Sequence, residues 1–337
     1  MTDQPLRAAI VGLGRWGRNL ALANAANPDS ALRFTHAATG TPEKAQEFCD
    51  EQGLHLLPDL DAVLASDRVD AVVLATPHSQ HGAQICRAAQ AGKHVFVEKP
   101  LTLDLAEAEA AIAATQAAGV RLCVGFNRRF LPAYQQLGEG LAKGALGRPL
   151  HVEGAFSGSF GYQYTDRMWR GSSRENPAGG MAAMGIHILD AMIALLGPVR
   201  RVSAISRRIA VPAQIDDVTN VMLDFQSGAT GSLSSLMSTG SFWRLHVFGS
   251  AGWAQMPDQD TLVTSDLEGA QERRSFDPCD SLARELDAFA RHVLTGQPYP
   301  VTHDQALNGV AAMQAIALSA VRDAEWTQVG STATSLG

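Results

Sequence analysis

The sequence predicts an α/β protein: a doubly wound parallel sheet over residues 1–124, followed by an α+β domain with an open, largely antiparallel sheet over 125–330. Three observations carry this reading. Short continuous apolar runs alternate with alanine-rich helical segments through the first third of the chain. A glycine turn joins the first run to the first helix. Past Gly125, apolar residues alternate singly with polar ones. Continuous apolar strands belong to parallel sheets covered on both faces, and alternating strands to sheets with one wet face.

The elements follow in order. Residues 8–11 (AAIV) are a buried strand, and 19–26 an alanine- and leucine-rich helix stopped by Asn27-Pro28. Residues 32–38 are a second strand, and Pro42 sits at the favoured first turn of a helix running to Glu51. The run 69–75 (VDAVVLA) is a strand, 80–91 a helix closed by Gly92, 94–97 a strand, 104–118 a helix with Gly119 past its end, and 121–124 a strand. Right-handed crossovers then wind helices onto both faces of one sheet. Later, Val221, Leu223 and Phe225 alternate with Asn220, Met222 and Asp224, and Gln226-Ser227-Gly228 turns the chain into a partner strand at 231–236. Residues 245–248, followed by Gly249-Ser250-Ala251-Gly252, repeat the device. A helix over 181–196 ends at Gly197-Pro198. Leu282, Leu286, Phe289 and Val293 share one face of another, and a last helix from about Thr302 carries Leu307, Val310, Met313 and Ile316. Residues 330–337 read as a loose tail.

The composition is that of an ordinary globular protein, 46% hydrophobic and 18% charged over 337 residues. A net charge of −7 without basic runs argues against a nucleic-acid or anionic-membrane partner. No apolar stretch is long enough to span a membrane, and no signal-peptide pattern opens the chain. The cysteines, Cys49, Cys86, Cys123 and Cys279, are scattered and form no C-x-x-C pair. Free thiols, a cytoplasmic location and no metal site are therefore expected.

Gly12-Leu13-Gly14-Arg15-Trp16-Gly17 lies between the first strand and the first helix, the context in which a G-x-G-x-x-G motif marks a dinucleotide-binding Rossmann domain. Gly12 permits the tight turn, Gly14 lets the backbone approach the pyrophosphate, and Gly17 lets the helix pack on the strand. An acidic residue at the end of the second strand would hold the ribose 2′-hydroxyl of NAD. This chain has Thr39-Gly40-Thr41 there instead, with Arg15 in the glycine loop. Small residues leave room for a 2′-phosphate, so NADP is preferred over NAD.

The segment Gly92-Lys93-His94-Val95-Phe96-Val97-Glu98-Lys99-Pro100 resembles the hallmark of the glucose–fructose oxidoreductase / inositol dehydrogenase / MocA family (Gfo/Idh/MocA). Ala75-Thr76-Pro77-His78-Ser79-Gln80-His81, Val124-Gly125-Phe126-Asn127-Arg128-Arg129-Phe130 and the stretch from Gly179 to Asp190 are similar to further segments of that family, in the same order. The resemblance implies a Rossmann domain, then an open antiparallel sheet used for oligomer contacts, in a homodimer or homotetramer. It also implies hydride transfer between nicotinamide and a carbinol or carbonyl carbon of a sugar, polyol or related molecule. Thr76, Pro77, His78 and His81 would line the dinucleotide, with His81 packing or capping the following helix. Glu98 would meet the nicotinamide ribose or nearby backbone.

Lys99 follows a buried strand at the carboxyl end of the sheet, where ligands of doubly wound folds bind. Burial and a nearby nicotinium charge favour its neutral amine, which can hydrogen-bond a substrate hydroxyl. Gly185-Ile186-His187 aligns with the family's Gly-x-His, so the resemblance gives His187 the role of taking the carbinol proton. Lys99 and His187 are thus the expected catalytic residues. Asn127 and Arg128, just after the strand at 121–124, are placed to enter the cleft, with Arg129 less so. In the segment 157–173, Tyr162, Trp169 and Arg170 offer aromatic planes and guanidinium donors suited to a sugar ring or small acid.

One position departs from the family. Many members carry aspartate four residues before the histidine, where both side chains share a helix face; here the residue is Ala183. Asp190 matches a mostly structural position, and Asp216 and Asp217 are remote substitutes for the missing carboxylate. Two other readings stay open beside the dehydrogenase: a redox-neutral lyase or hydrolase that uses bound NAD transiently, and a non-catalytic NAD(P)-binding sensor or scaffold.

Overall fold

The computed structural model describes residues 4–330, so all but the first residue of the tail read at 330–337 lies outside the described residues. The chain divides into two units. One takes residues up to 102, 106–127 and 280–303; the other takes 103–105, 128–279 and the chain from 304 onward.

The first unit is built on six strands: β1 (Leu6–Val11), β2 (Leu32–Ala38), β3 (His55–Leu57), β4 (Ala71–Leu74), β5 (His94–Glu98) and β6 (Leu122–Gly125). Their order is β3-β2-β1-β4-β5-β6, with every neighbouring pair parallel. The order reverses between β1 and β4, the switch point at whose carboxyl end doubly wound folds hold ligands. Every residue of β4 and β6 is buried, as expected of strands lacking alternation. The connecting helices are α1 (Arg15–Ala25), α2 (Gln46–Gln52), α3 (Leu60–Ala65), α4 (His81–Gln90) and α5 (Leu105–Ala117). The helix expected from Pro42 to Glu51 is interrupted: Pro42–Lys44 is a 3-10 turn, and α2 starts only at Gln46. The three-residue β3 and the six-residue helix α3, which Asp59 caps through Ala62 N–H at 2.9 Å, are too short to show a period in the sequence.

The second unit begins with α6 (Pro132–Ala142) and holds nine strands: β7 (Pro149–Ser157), β8 (Val199–Arg207), β9 (Val218–Phe225), β10 (Thr230–Leu236), β11 (Phe242–Gly249), β12 (Gly252–Met256), β13 (Thr261–Ser265), β14 (Gln271–Ser275) and β15 (Thr327–Gln328). Their order is β14-β13-β12-β11-β7-β10-β9-β8-β15. Pairing is antiparallel except between β7 and β10, so the sheet is largely antiparallel, as expected.

The helix expected over 181–196 has two parts: a wide π turn at Met181–Gly185, then α7 (Ile186–Leu196). Glycines allow this shape. A Cβ at Gly185 would lie 2.4 Å from the Met181 sulfur, and one at Gly180 would lie 2.8 Å from Met237 Cγ. A Cβ at Gly154 on β7 would meet Ile188 Cγ2 at 2.3 Å, so this glycine lets α7 lie directly on the strand.

The closing helices are α8 (Ser281–Thr295) and α9 (His303–Val321). The sequence reading assigns α8 to the second domain, with a border at residue 124; in the structure α8 packs in the first unit. Its Phe289 ring lies 5.7 Å from Phe96 of β5, and its Asp287 accepts a hydrogen bond from Ala31 N–H at 2.8 Å. Helical periodicity reveals that a face is buried, but not which sheet covers it.

Candidate functional site

The glycine turn is tightly specified. Gly12 has φ +97°, and a Cβ there would lie 2.5 Å from the Ala75 carbonyl at the end of β4. Its N–H donates to Ala38 at the end of β2 at 2.8 Å. A Cβ at Gly17 would sit 1.9 Å from the Gly12 carbonyl oxygen, so only glycine lets α1 start this close to the turn. Around Gly14, by contrast, a Cβ would meet nothing within 4 Å. The N-cap of α1 is Gly14, which makes no side-chain hydrogen bond, and the first turn of a helix is where N–H groups can take an outside acceptor. Trp16 Nε1 is buried without a hydrogen-bond partner among the described residues. An open glycine at a helix N-terminus fits the pyrophosphate of a dinucleotide.

The end of β2 stands next to this turn. Thr39 is half-buried, while Gly40 and Thr41 are exposed, and a Cβ at Gly40 would meet nothing within 4 Å. Arg15 is exposed on the first turn of α1. Arg18, which the sequence reading did not single out, donates to the Leu13 carbonyl at 3.2 Å and the Lys44 carbonyl at 2.5 Å, and lies 5.0 Å over the Phe48 ring. It ties the glycine turn to the segment after β2. An arginine one turn into the helix carries no sequence signal of that role.

The turn after β4 and the one after β5 are held together by His81. Its Nδ1 lies 2.8 Å from the Pro100 carbonyl oxygen and its Nε2 3.2 Å from that of Thr76. The ring is fully buried, so His81 braces the backbone around Thr76, Pro77 and Lys99 rather than lining the surface. His78 is buried against it, with ring centroids 5.9 Å apart. Thr76 Oγ1 donates to Gln84 Oε1 at 2.6 Å. Glu98 and Lys99 are both buried, and the Lys99–Pro100 peptide is cis. Gly125 makes room for the acid, since a Cβ there would lie 3.2 Å from Glu98 Oε1. Asn127, also buried, donates to Ser281 Oγ at 2.9 Å, while its Oδ1 has no partner among the described residues.

In the second unit, His187 is buried on the first turn of α7. Residues two apart on a strand share a face, so Phe156 follows Gly154 against this helix, and its ring lies 6.0 Å from that of His187. The Arg128 guanidinium sits 5.6 Å over the other partner of that ring system, Phe156 itself. Phe156, absent from the sequence-based candidates, thus joins Arg128 to His187. Tyr162 is turned to Ser238, whose carbonyl accepts its hydroxyl at 3.1 Å. Trp169 and Arg170 stack on each other at 4.2 Å, and the Arg170 carbonyl accepts from Asn176 Nδ2 at 2.9 Å.

The neighbouring charges have structural partners. Arg129 makes a buried bidentate pair with Asp190, at 2.6 and 2.9 Å, and lies 6.0 Å over the Tyr134 ring. Burial pushes the Asp190 carboxyl above the usual range, opposed by that guanidinium. Asp217, one of the remote substitutes considered for the carboxylate missing at Ala183, accepts N–H from Ile209 at 2.5 Å and Ala210 at 3.0 Å. Ala183 itself packs, with Phe156 and Phe160, against a buried cluster of Tyr164, Met184, Ala213, Ile215 and Met237. Among the described residues no cluster of three or more His, Cys, Asp or Glu could hold a metal ion.

Comparison with known proteins places these features in a family. Residues 6–126 match the GFO/IDH/MocA oxidoreductase family with NAD-binding Rossmann fold, and 134–255 match a C-terminal domain of the same family. The chain is similar to scyllo-inositol 2-dehydrogenase (NAD(+)) of Bacillus subtilis, 33% identical over 74% of this chain and 73% of that one. It is also similar to D-xylose 1-dehydrogenase (NADP(+)) 2 of Haloferax volcanii, 29% identical over 82% of this chain and 86% of that one. Its fold superposes on the crystal structure of aldose-aldose oxidoreductase from Caulobacter crescentus complexed with glycerol with a TM-score of 0.85, at 28% identity, over 96% of this chain and all of the other (100%). The chain therefore belongs to the GFO/IDH/MocA oxidoreductase family.

Proposed function

We propose that this protein is an NAD(P)-dependent dehydrogenase of CH–OH groups on a sugar, polyol or related small molecule, with NADP preferred over NAD. The observation that carries the proposal is Lys99, a buried lysine directly after β5 at the carboxyl end of the parallel sheet. A lysine at that place can hydrogen-bond a reacting hydroxyl of a ligand held at the sheet's carboxyl end. The bound nicotinamide supplies a two-electron acceptor. His187 takes the hydroxyl proton as the carbinol C–H bond is broken, and Lys99 stabilises the oxygen. Glu98, Thr76 and Pro77 shape the cofactor site, with His78 and His81 behind them. Asn127, Arg128, Tyr162, Trp169 and Arg170 are the proposed substrate contacts.

The NADP preference rests on Thr39, Gly40 and Thr41. They place no carboxylate against a 2′-phosphate, and Arg15 lies on the adjoining turn. The two relatives divide on this point, one named for NAD and the other for NADP. We further propose a homo-oligomer formed through the second sheet. Register puts Ile205, Met222, Phe248 and Trp253 on a single face, and Ile205 and Met222 are 49% and 59% exposed. The four free thiols support a cytoplasmic location. No helix among the described residues is long and apolar enough to cross a membrane.

The cofactor preference is tested by titrating the protein with NADPH and NADH. NADPH should bind at least about tenfold tighter, and Arg15→Ala should remove most of the difference, a loss of about 1.4 kcal/mol. Equal affinity for the two would refute the preference.

A further inference from the structure

We propose that Ala183 is a specificity-determining residue: with Phe156 and Phe160 it forms a hydrocarbon wall beside His187, and the substrate meets that wall with a carbon bearing no hydroxyl, as in a deoxy sugar or polyol. The proposal rests on the dehydrogenase reading above and narrows its substrate class.

Three observations support it. First, Ala183 lies four residues before His187, and the π turn at Met181–Gly185 runs straight into the helix carrying the histidine. The two residues therefore face much the same way. Second, the apolar surface is continuous. Phe156 and Phe160 pack with Ala183 on one cluster, and the Phe156 ring reaches to 6.0 Å from His187. Gly158 tightens this arrangement, because a Cβ there would lie 2.9 Å from Phe160 Cε2 and 3.6 Å from the Met184 sulfur. Third, the surface-reaching members of the cluster, Ala183, Phe156 and Phe160, carry only hydrocarbon, while the rest, Tyr164 included, are buried beneath them. Of the two acids weighed as substitutes, Asp217 is spent on Ile209 and Ala210 N–H, and Asp216 lies against Gly179, where a Cβ would be 3.1 Å from its own.

A hydroxyl pressed against Ala183 and Phe160 loses its water and gains no partner from their side chains, the Arg128 guanidinium lying over the Phe156 ring instead. A C–H edge loses nothing comparable. Apolar pockets reject an added hydroxyl by up to about 100-fold, so the expected preference is about 10-fold to 100-fold for the deoxygenated compound.

The test uses the full chain with NADP+ and two probe sets: scyllo-inositol and its monodeoxy analogue, and D-xylose with its monodeoxy analogues. Both kcat/KM and equilibrium binding to the cofactor-loaded protein are measured for wild type, Ala183→Asp and Ala183→Val. In the wild type, at least one deoxy analogue should be favoured over its parent by about tenfold or more. Ala183→Asp should cut that ratio at least about tenfold by offering a carboxylate to a hydroxyl, while Ala183→Val keeps it. Should Ala183→Asp fail to fold, Ala183→Ser reads the same ratio with a smaller polar group. Parents favoured by wild type, or a ratio untouched by both polar variants, would overturn the proposal. Absence of turnover with every probe would count against the dehydrogenase reading, and the binding ratio would still decide the role of Ala183.

Discussion

Arg129 and Asp190 show how a pair of charged residues beside a candidate active site can be purely architectural. They lie 61 positions apart in sequence, and only the fold brings them into a bidentate pair that is 6% and 4% exposed. Removing one partner leaves the other charge buried without compensation, which typically costs about 3–5 kcal/mol. Arg129→Met should therefore lower stability by about that amount in urea unfolding, and Arg129→Met combined with Asp190→Leu should recover a large part of the loss. If the single change costs under about 0.5 kcal/mol, the pair is not holding α7. Lys99, His187 and Arg128 stood out in the sequence because motifs surround them. Phe156 did not, because an aromatic on an alternating strand looks like any core residue until Gly154 admits the helix beside it. The departure at Ala183 was legible as a missing carboxylate. What replaces that carboxylate was not, because the surrounding cluster is assembled from segments as far apart as Phe156 and Met237.

At the scale of elements, hydrophobic period identified the buried strands and the long amphipathic helices, because continuous and alternating burial have different residue patterns. It missed β3 and α3, which are too short to carry a period, and the π turn before α7. That turn depends on Gly180 and Gly185 meeting Met237 and Met181 in space. It also sent α8 to the wrong sheet. The loop before β9 is held by a different device. Asp217 is fully buried. Burial raises its carboxyl, but hydrogen bonds from Ile209 N–H, the Ser238 side chain and Ala210 N–H outweigh that, and the group sits below the usual carboxylate range. A depressed acid stabilises the fold above its unfolded value, near pH 4, and the contribution fades as pH falls through the folded value. Asp217→Ala should cost about 1–3 kcal/mol at pH 7 by leaving two N–H groups unpaired. The gap from wild type should shrink on acidification below about pH 4, and a gap that widens there would refute this assignment.

For the whole molecule, the two-part architecture and its sheet classes were legible from the sequence, while the partition of the chain was not. Helix α8 returns to the first unit because Phe289 fits against Phe96 and Asp287 caps the Ala31 amide, contacts that span more than 190 residues of sequence. The proposed oligomer is a matter of the same scale. A sheet face on which Ile205 and Met222 stand exposed among polar residues such as Ser203, Asn220 and Ser232 is a mixed surface that a second copy can cover. Met222→Glu should shift the protein to a smaller species in mass photometry while leaving cofactor affinity unchanged. A wild-type protein that is monomeric at micromolar concentration would contradict the proposal. The central claim is chemical, however, and one experiment reaches it directly: single-turnover and steady-state formation of reduced nicotinamide from sugar and polyol probes, followed for wild type, Lys99→Met and His187→Ala with cofactor binding measured in parallel. The account predicts turnover by wild type, a fall of about 10²–10⁴-fold in kcat/KM for each variant, and near-native NADPH affinity for His187→Ala; full turnover by His187→Ala, with the protein folded and cofactor bound, would contradict it.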